Sequence, residues 1–421
     1  MRGIERQTSI YLGGVSGTHP RVPADATKLE EKARGVMRED AFAYIAAGAG
    51  TEQTVHENRR AFDRWRIVPR ILRDVSERDP SVELFGRRIP SPFLLAPVGV
   101  LELAHRDADR AVARAARQEG VPMIFSNQAS TPMEECARLL GDGPRWFQLY
   151  WSTSDELVES LVARAERCGC EAIVVTLDTT MLGWRPRDLT PAFLPFLHGW
   201  GIAQYTSDPV FRRLISEDPG ARAPDQQPRP TLRALRTLIE VGRAYPGSFL
   251  GGLRSGLARA AVQRFVQIYS RPSLTWDDLA WLRERTRLPI LLKGVMHPDD
   301  ARRAIDAGMD GMVVSNHGGR QVDGALATFD ALPGVAEAVG GRAPVLLDSG
   351  VRGGADAFKA LALGASAVLV GRPYVYGLAI AGEAGVLEVL RNLIADFDLT
   401  MGLAGCRSVD EISAEALTRI D

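Results

Sequence analysis

The 421-residue chain has little of several features that would assign it to a common class. Its four cysteines, Cys136, Cys168, Cys170 and Cys406, form no CxxC pair. A disulfide framework is therefore not indicated, and a reduced cytoplasmic setting is expected. The six histidines show no HExxH or comparable ligand spacing, so no metal is predicted. No run reaches the roughly 18 apolar residues of a membrane-spanning helix, and the first thirty residues lack the apolar centre of a secretory signal. No membrane partner is expected. Neither sign of charge dominates, with 51 Lys and Arg against 52 Asp and Glu, and no long basic run is present to track a nucleic-acid backbone. With these classes set aside, 45% hydrophobic content implies a soluble globular protein with a large core.

Short apolar runs recur along that core-forming sequence, separated by amphipathic stretches that begin with acidic or capping residues and end in glycine. Eight such runs occur, at 93–99, 121–127, 145–151, 172–178, 289–295, 311–318, 344–350 and 367–373. Runs of this kind suit parallel strands buried on both faces. Eight regular strand-helix units close most economically into a (β/α)8 barrel rather than a doubly wound sheet, and one domain over 1–421 is expected, its barrel spanning 91–405. Most runs start 22–33 residues apart, but the interval from 172 to 289 is far longer, so about 90 residues are inserted after the fourth strand. The insertion, taken as 186–265, begins with aromatic sequence (Phe193, Phe196, Trp200) and reads as an active-site lid; 217–230 reads as a solvated loop. Residues 28–90 read as a cap, helical over 28–60 with a short β segment over 64–90, closing the barrel bottom and side.

In such barrels chemistry sits at the C-terminal ends of the strands. Those ends are unusually polar here, reading Pro97 and Gly99, Ser126 and Asn127, Gln148 and Tyr150, Thr176 and Asp178, Lys293, Ser315 and His317, Asp348 and Gly350, then Gly371 and Arg372. One such residue is ordinarily a satisfied polar group; a full ring of them points to a site. The loops after strands seven and eight, DSGVRGG and GRP, combine glycines with Arg352 and Arg372, which suits a phosphate group and so a phosphorylated cofactor. His317, followed by two glycines and Arg320, is the candidate base, with Asp178 placed to orient its ring. Lys293 at the end of an apolar run needs a partner; the electron-rich edge of a reduced flavin is one, and position alone leaves a Schiff-base role open.

At SNHGGRQ (315–321) the sequence resembles the FMN-dependent L-2-hydroxy-acid oxidising family. The resemblance continues through AFAYIAAGA, FQLYW, VVTLDT, ILLKGV, FKALALGASAVLVGRP and LTMGLAGC. It implies FMN as cofactor, a small 2-hydroxy acid and O2 as partners, and a homotetramer or homo-octamer. It implies His317 as base supported by Asp178, with Tyr150 hydrogen-bonding near the substrate hydroxyl. Tyr44, Arg185 and Arg320 would hold the substrate carboxylate, and Lys293 would lie by the flavin N1/O2 edge. Pro97, Val98, Gly99, Ser126, Gln148, Thr176 and Ser315 would contact the ring and ribityl chain, and Asp348, Gly350, Arg352, Gly371 and Arg372 the ribityl and phosphate end.

The opening IYLGGVSGTHP, the run APVGV, GWRPRDL and the insertion most resemble the lactate 2-monooxygenase branch. The implied reaction takes L-lactate and O2 to acetate, CO2 and water. An oxidase or dehydrogenase releasing the 2-oxo acid is the alternative, and a non-catalytic flavin-binding barrel is the reading from another class. Gly99 stands where many oxidases carry Ala, which is read as room beside the flavin. Gln128 stands where glycolate oxidases place an aromatic residue.

Overall fold

The computed structural model describes residues 3–217, 231–247 and 255–420. Each of the eight runs contributes a strand: Phe93–Leu95, Met123–Phe125, Arg145–Leu149, Ile173–Thr176, Ile290–Val295, Gly311–Val314, Val345–Leu347 and Ala367–Val370. They pair in parallel in chain order, and the eighth bonds to the first to close the barrel. The (β/α)8 architecture is thus present. The helical signals also hold locally: Ser154 accepts from Leu157 N to start helix Asp155–Arg167, and Gly120 at φ 64° ends helix Ala108–Glu119.

Successive strand residues face opposite sides, so each strand gives one row of side chains to the surrounding helices and one to the barrel interior. The interior row forms an apolar layer of Leu94, Ile124, Trp146, Val174, Leu291, Val313, Leu346 and Leu369. An antiparallel hairpin, Val82–Leu84 with Arg87–Ile89, packs Leu84, Phe85 and Ile89 against that layer and closes the N-terminal end of the barrel. Two residues further along the strands, the same inward row reads Ser126, Gln148, Thr176, Lys293, Ser315 and Asp348, all buried. The alternation that builds the core also lifts a polar layer to the mouth.

Every ladder but the fifth ends before its run does. The sixth stops at Val314 rather than residue 318, because the backbone turns there and His317 adopts φ 58°. Helices Leu29–Arg34, Glu39–Ala46 and Gln53–Asp63 replace the two expected over 28–60, the first break falling around Gly35. Two elements were not expected. Helix Gly3–Val15 docks on the long final helix Arg372–Leu403, with Gly3 N donating to Asp398 Oδ2 at 2.8 Å. The other is the C-terminal strand Leu417–Arg419, which pairs with Trp65–Ile67 at the start of the β segment expected over 64–90.

The insertion folds over the mouth as short helical pieces, Pro186–Leu189, Pro195–His198, Ala203–Thr206 and Pro209–Glu217, followed by Leu232–Ala244 and Leu257–Ile268. Phe196 packs on Phe265 at 5.1 Å between centroids and edge-on to Tyr44 at 6.5 Å, which ties the insertion to the N-terminal cap. Residues 218–230 of the stretch read as a solvated loop lie outside the described residues. Among the described residues no helix is long and apolar enough to cross a membrane.

Candidate active site

The turn after the sixth strand holds His317 at φ 58°, and the one after the seventh holds Ser349 at φ 71°. Both are conformations that non-glycine residues adopt only at a cost. The two turns are joined, since Gly318 N donates to Ser349 Oγ at 2.9 Å. His317 Nδ1 lies 2.8 Å from Asp178 Oδ1, delivered by the end of the fourth strand. Gly294 makes this possible: at φ 108° on the fifth strand, its Cβ would come within 2.9 Å of Asp178 Cβ.

Burial lowers the His317 pKa below its ordinary value, and the nearby Lys293 charge adds to this against the opposing pull of Asp178. The ring is therefore neutral at neutral pH. Burial works against ionisation of Asp178, but Lys293 and His317 outweigh it and hold the carboxyl well below its usual range. With Asp178 ionised and accepting, Nδ1 carries the imidazole proton. Nε2 then presents its lone pair towards Tyr150 Oη, 3.5 Å away. Burial, followed by the Asp178 charge, pushes the Tyr150 hydroxyl up to about 12, so it stays protonated.

Lys293 differs from the sequence expectation, because its partners are already in the protein. Nζ donates to Ser315 Oγ at 2.8 Å and lies 3.4 Å from Asp348 Oδ2 and 3.7 Å from Asp178 Oδ2. Desolvation disfavours its charge, yet the two carboxylates more than offset this and raise its pKa. A firmly protonated amine is no nucleophile, so the Schiff-base alternative falls away.

Tyr44, from helix Glu39–Ala46, lies between two guanidiniums, with Arg320 Cζ 5.2 Å and Arg185 Cζ 5.6 Å from its ring centroid. Arg320 Nη1 donates to the carbonyls of Tyr44 and Ala47, both at 2.8 Å, and burial followed by the Arg185 charge pushes its pKa down to about 10. Two cations this close favour an anion between them. Arg185 has a buried partner that sequence reasoning overlooked, Asp188, with Nε 3.1 Å from Oδ2. The spacing of three residues on one helical turn was the available signal.

One cavity runs from these groups to the loops after strands seven and eight. It brings together Tyr44, Pro97, Val98, Gly99, Tyr150, Arg185, Lys293, His317, Arg320, Asp348, Gly350, Arg352, Gly371 and Arg372. Ser126, Gln148, Thr176, Ser315 and Asp178 stand behind this lining instead. There Ser126 Oγ donates to Gln148 Oε1 at 3.2 Å, and Gln148 Nε2 to Thr176 Oγ1 at 3.1 Å. Of the three lid aromatics, Phe196 lines the cavity while Phe193 and Trp200 do not. Thr179, Leu182, Tyr269 and Ser349 line it too and carried no sequence signal.

Gly99 requires a correction. A methyl there would not enter open space; it would meet Gln128 Cβ at 3.0 Å and Gln128 O at 3.1 Å. The glycine accommodates the close approach of the loop after strand two, whose Gln128 O accepts from Val100 N at 2.9 Å.

At the other end of the cavity, burial and the neighbouring Arg372 push Arg352 down to about 10, and no carboxylate pairs with it among the described residues. Arg372 is likewise bonded only to carbonyls, those of Ile45, Ala47 and Gly318. Two facing guanidiniums beside glycine loops suit a dianionic phosphate. An elongated cavity with a phosphate end, a buried ammonium at its centre and a carboxylate end fits a flavin mononucleotide with an acid substrate beside it.

The family model for FMN-dependent dehydrogenase matches residues 33–419. FMN-dependent alpha-hydroxy acid dehydrogenase qulF of Penicillium citrinum is 43% identical over 415 residues, covering 98% of this chain and 95% of the relative. L-lactate oxidase of Lysinibacillus sphaericus is 42% identical, covering 90% and 89%. Among solved structures, mandelate oxidase with (S)-4-hydroxymandelic acid superposes with a TM-score of 0.76 at 37% identity, covering 94% of this chain and 98% of the other. The chain belongs to the FMN-dependent dehydrogenase family, whose relatives here are 2-hydroxy-acid dehydrogenases and oxidases.

Proposed function

For an FMN-dependent 2-hydroxy-acid oxidoreductase built in this way, we propose that the substrate is a small L-2-hydroxy acid, L-lactate in the first instance. We further propose that the 2-oxo acid is retained until O2 has been reduced, so that acetate, CO2 and water leave. The observation that carries the reading is the neutral His317, fixed by Asp178, in the same cavity as the paired cations around Tyr44.

The substrate carboxylate sits between Arg185 and Arg320 with Tyr44 beside it, and these groups fix which face of C2 is presented. Tyr150 hydrogen-bonds the substrate hydroxyl. His317 Nε2 takes the proton released at the carbinol, and Asp178 stabilises the imidazolium that results. FMN, when bound, accepts the two electrons of the carbinol. Pro97, Val98 and Gly99 hold its ring side, Lys293 supplies positive charge, and Asp348, Gly350, Arg352, Gly371 and Arg372 take its ribityl and phosphate end.

Retention of the 2-oxo acid requires a closed, dry site. Phe196 and the residues around it in 186–265 form the cover in this reading, with the arginine pair holding the product carboxylate. The balanced outcome is one L-lactate and one O2 to one acetate, one CO2 and one water. Product analysis of L-lactate turnover in air tests it. Acetate and CO2 with little free peroxide are expected; equimolar pyruvate and peroxide would leave an oxidase, the second reading that the L-lactate oxidase relative favours.

A further inference from the structure

Thr179 follows Asp178 directly, is buried, and lines the cavity. Its Oγ1 donates to Asp178 Oδ1 at 2.8 Å and lies 3.2 Å from His317 Nδ1. One carboxylate oxygen thus receives both the imidazole N–H and the threonine O–H. Among the described residues Asp178 Oδ2 has no hydrogen-bond partner, and Lys293 Nζ lies 3.7 Å from it. Besides that cation and the imidazole, the acid that orients the base is held by the neighbouring Thr179 hydroxyl.

Resting on the assignment of His317 as base, we propose that Thr179 is a positioning residue that fixes the tautomer and limits the basicity of His317. A threonine hydroxyl has one proton. While Asp178 is ionised that proton goes to Oδ1, so Thr179 can meet His317 Nδ1 only as an acceptor. The imidazole proton is then shared between Asp178 at 2.8 Å and Thr179 at 3.2 Å, and Nε2 is left free to take the substrate proton. If the hydroxyl turned to donate to Nδ1, the proton would move to Nε2 and the base would be disabled. The bond to Asp178 prevents that turn.

The same bond weakens Asp178 as an acceptor for imidazolium. Removing it strengthens the 2.8 Å Asp178–His317 pair, which outweighs the loss of the longer 3.2 Å contact to Thr179, and so raises the His317 pKa. The other groups facing the ring are Tyr150 at Nε2, Lys293 and Arg320 through their charge, and Arg372, which binds the Gly318 carbonyl. None replaces a donor lost from Oδ1.

The test uses holoenzyme of wild type, Thr179→Val and Thr179→Ser. Anaerobic flavin reduction by L-lactate is followed across pH, and carbethoxylation of His317 by diethyl pyrocarbonate is followed by peptide mass spectrometry. Thr179→Val is expected to slow reduction roughly 3- to 30-fold with KM nearly unchanged. Its acid limb and its carbethoxylation midpoint should both move to higher pH by about half a unit or more. Thr179→Ser should restore both. Unmoved midpoints in Thr179→Val, or a serine variant as impaired as valine, would overturn the proposal. Should valine not fold, Thr179→Ala makes the same comparison. If no 2-hydroxy acid reduces the wild type, the functional reading fails, while the carbethoxylation arm still decides the role of Thr179.

Discussion

The barrel interior has two levels built from the same eight strands and separated by two residues. At the lower level Leu94, Ile124, Trp146, Val174, Leu291, Val313, Leu346 and Leu369 pack against the hairpin; at the upper level Ser126, Gln148, Thr176, Lys293, Ser315 and Asp348 face one another. Both levels are buried, so depth does not distinguish them. Hydrogen bonding does: the lower needs no partners, whereas the upper holds together as the Ser126–Gln148–Thr176 chain and the Lys293 cluster. Stability and chemistry therefore occupy different heights on one set of strands. Substitutions at the two heights should fail in different ways.

The sharpest separation is expected from His317→Gln, just above the polar level. Flavin reduction in anaerobic stopped flow should slow by roughly 10²–10⁴ while the unfolding midpoint changes little. A fall below tenfold would mean that another group is the base. Lys293→Met joins the two levels, because it leaves Asp178 and Asp348 without their cation. It should cost about 3–5 kcal/mol in denaturant unfolding and also slow reduction; a loss of rate alone would show that the cluster is not structural. Leu346→Ala, wholly below, should cost about 2–5 kcal/mol with kcat of the folded enzyme nearly unchanged. A large drop in kcat at full stability would erase the distinction.

Smaller effects refine the mouth. Arg320→Lys should raise KM for L-lactate by roughly ten- to a hundredfold, since an ammonium cannot both bind the Tyr44 and Ala47 carbonyls and present a fork to a carboxylate; an unchanged KM would contradict the carboxylate assignment. The smallest effect concerns pH. Because burial lowers the His317 pKa, its neutral, proton-accepting form persists to pH values below its ordinary range. The reduction rate should hold on acidification and fall only below about pH 6.5. An acid limb above that value would mean that Asp178 outweighs burial.

The two levels were legible in the sequence to different degrees. The strands were readable because a doubly buried strand is a continuous apolar run, and the polar level because six of the eight runs carry Ser, Gln, Thr, Lys or Asp near their ends. Strand ends were overextended, since burial continues past the last ladder bond, as at Ser315 and Asn316, where the backbone turns. Tyr44 came only from family resemblance, as nothing local marks a tyrosine on a helix outside the barrel. Thr179 was passed over because a threonine after a strand is ordinary turn chemistry; its value lies in the proton it gives Asp178. Gly99 was identified as unusual, but the side its missing methyl would occupy was misjudged. A glycine in sequence signals a close approach without saying what approaches, and here it is the Gln128 loop.

The positive φ of His317 also restricts which residues can replace it. A left-handed backbone excludes side chains by shape before chemistry is consulted: Gly and Asn enter at little cost, while β-branched Val, Ile and Thr are genuine outliers there. A library saturated at position 317 and sorted only for folded protein should thus be enriched in Gly and Asn and depleted in β-branched residues, with catalytic competence confined to histidine. Selection for folding alone would favour Gly and Asn there, so function rather than backbone preference keeps histidine at 317.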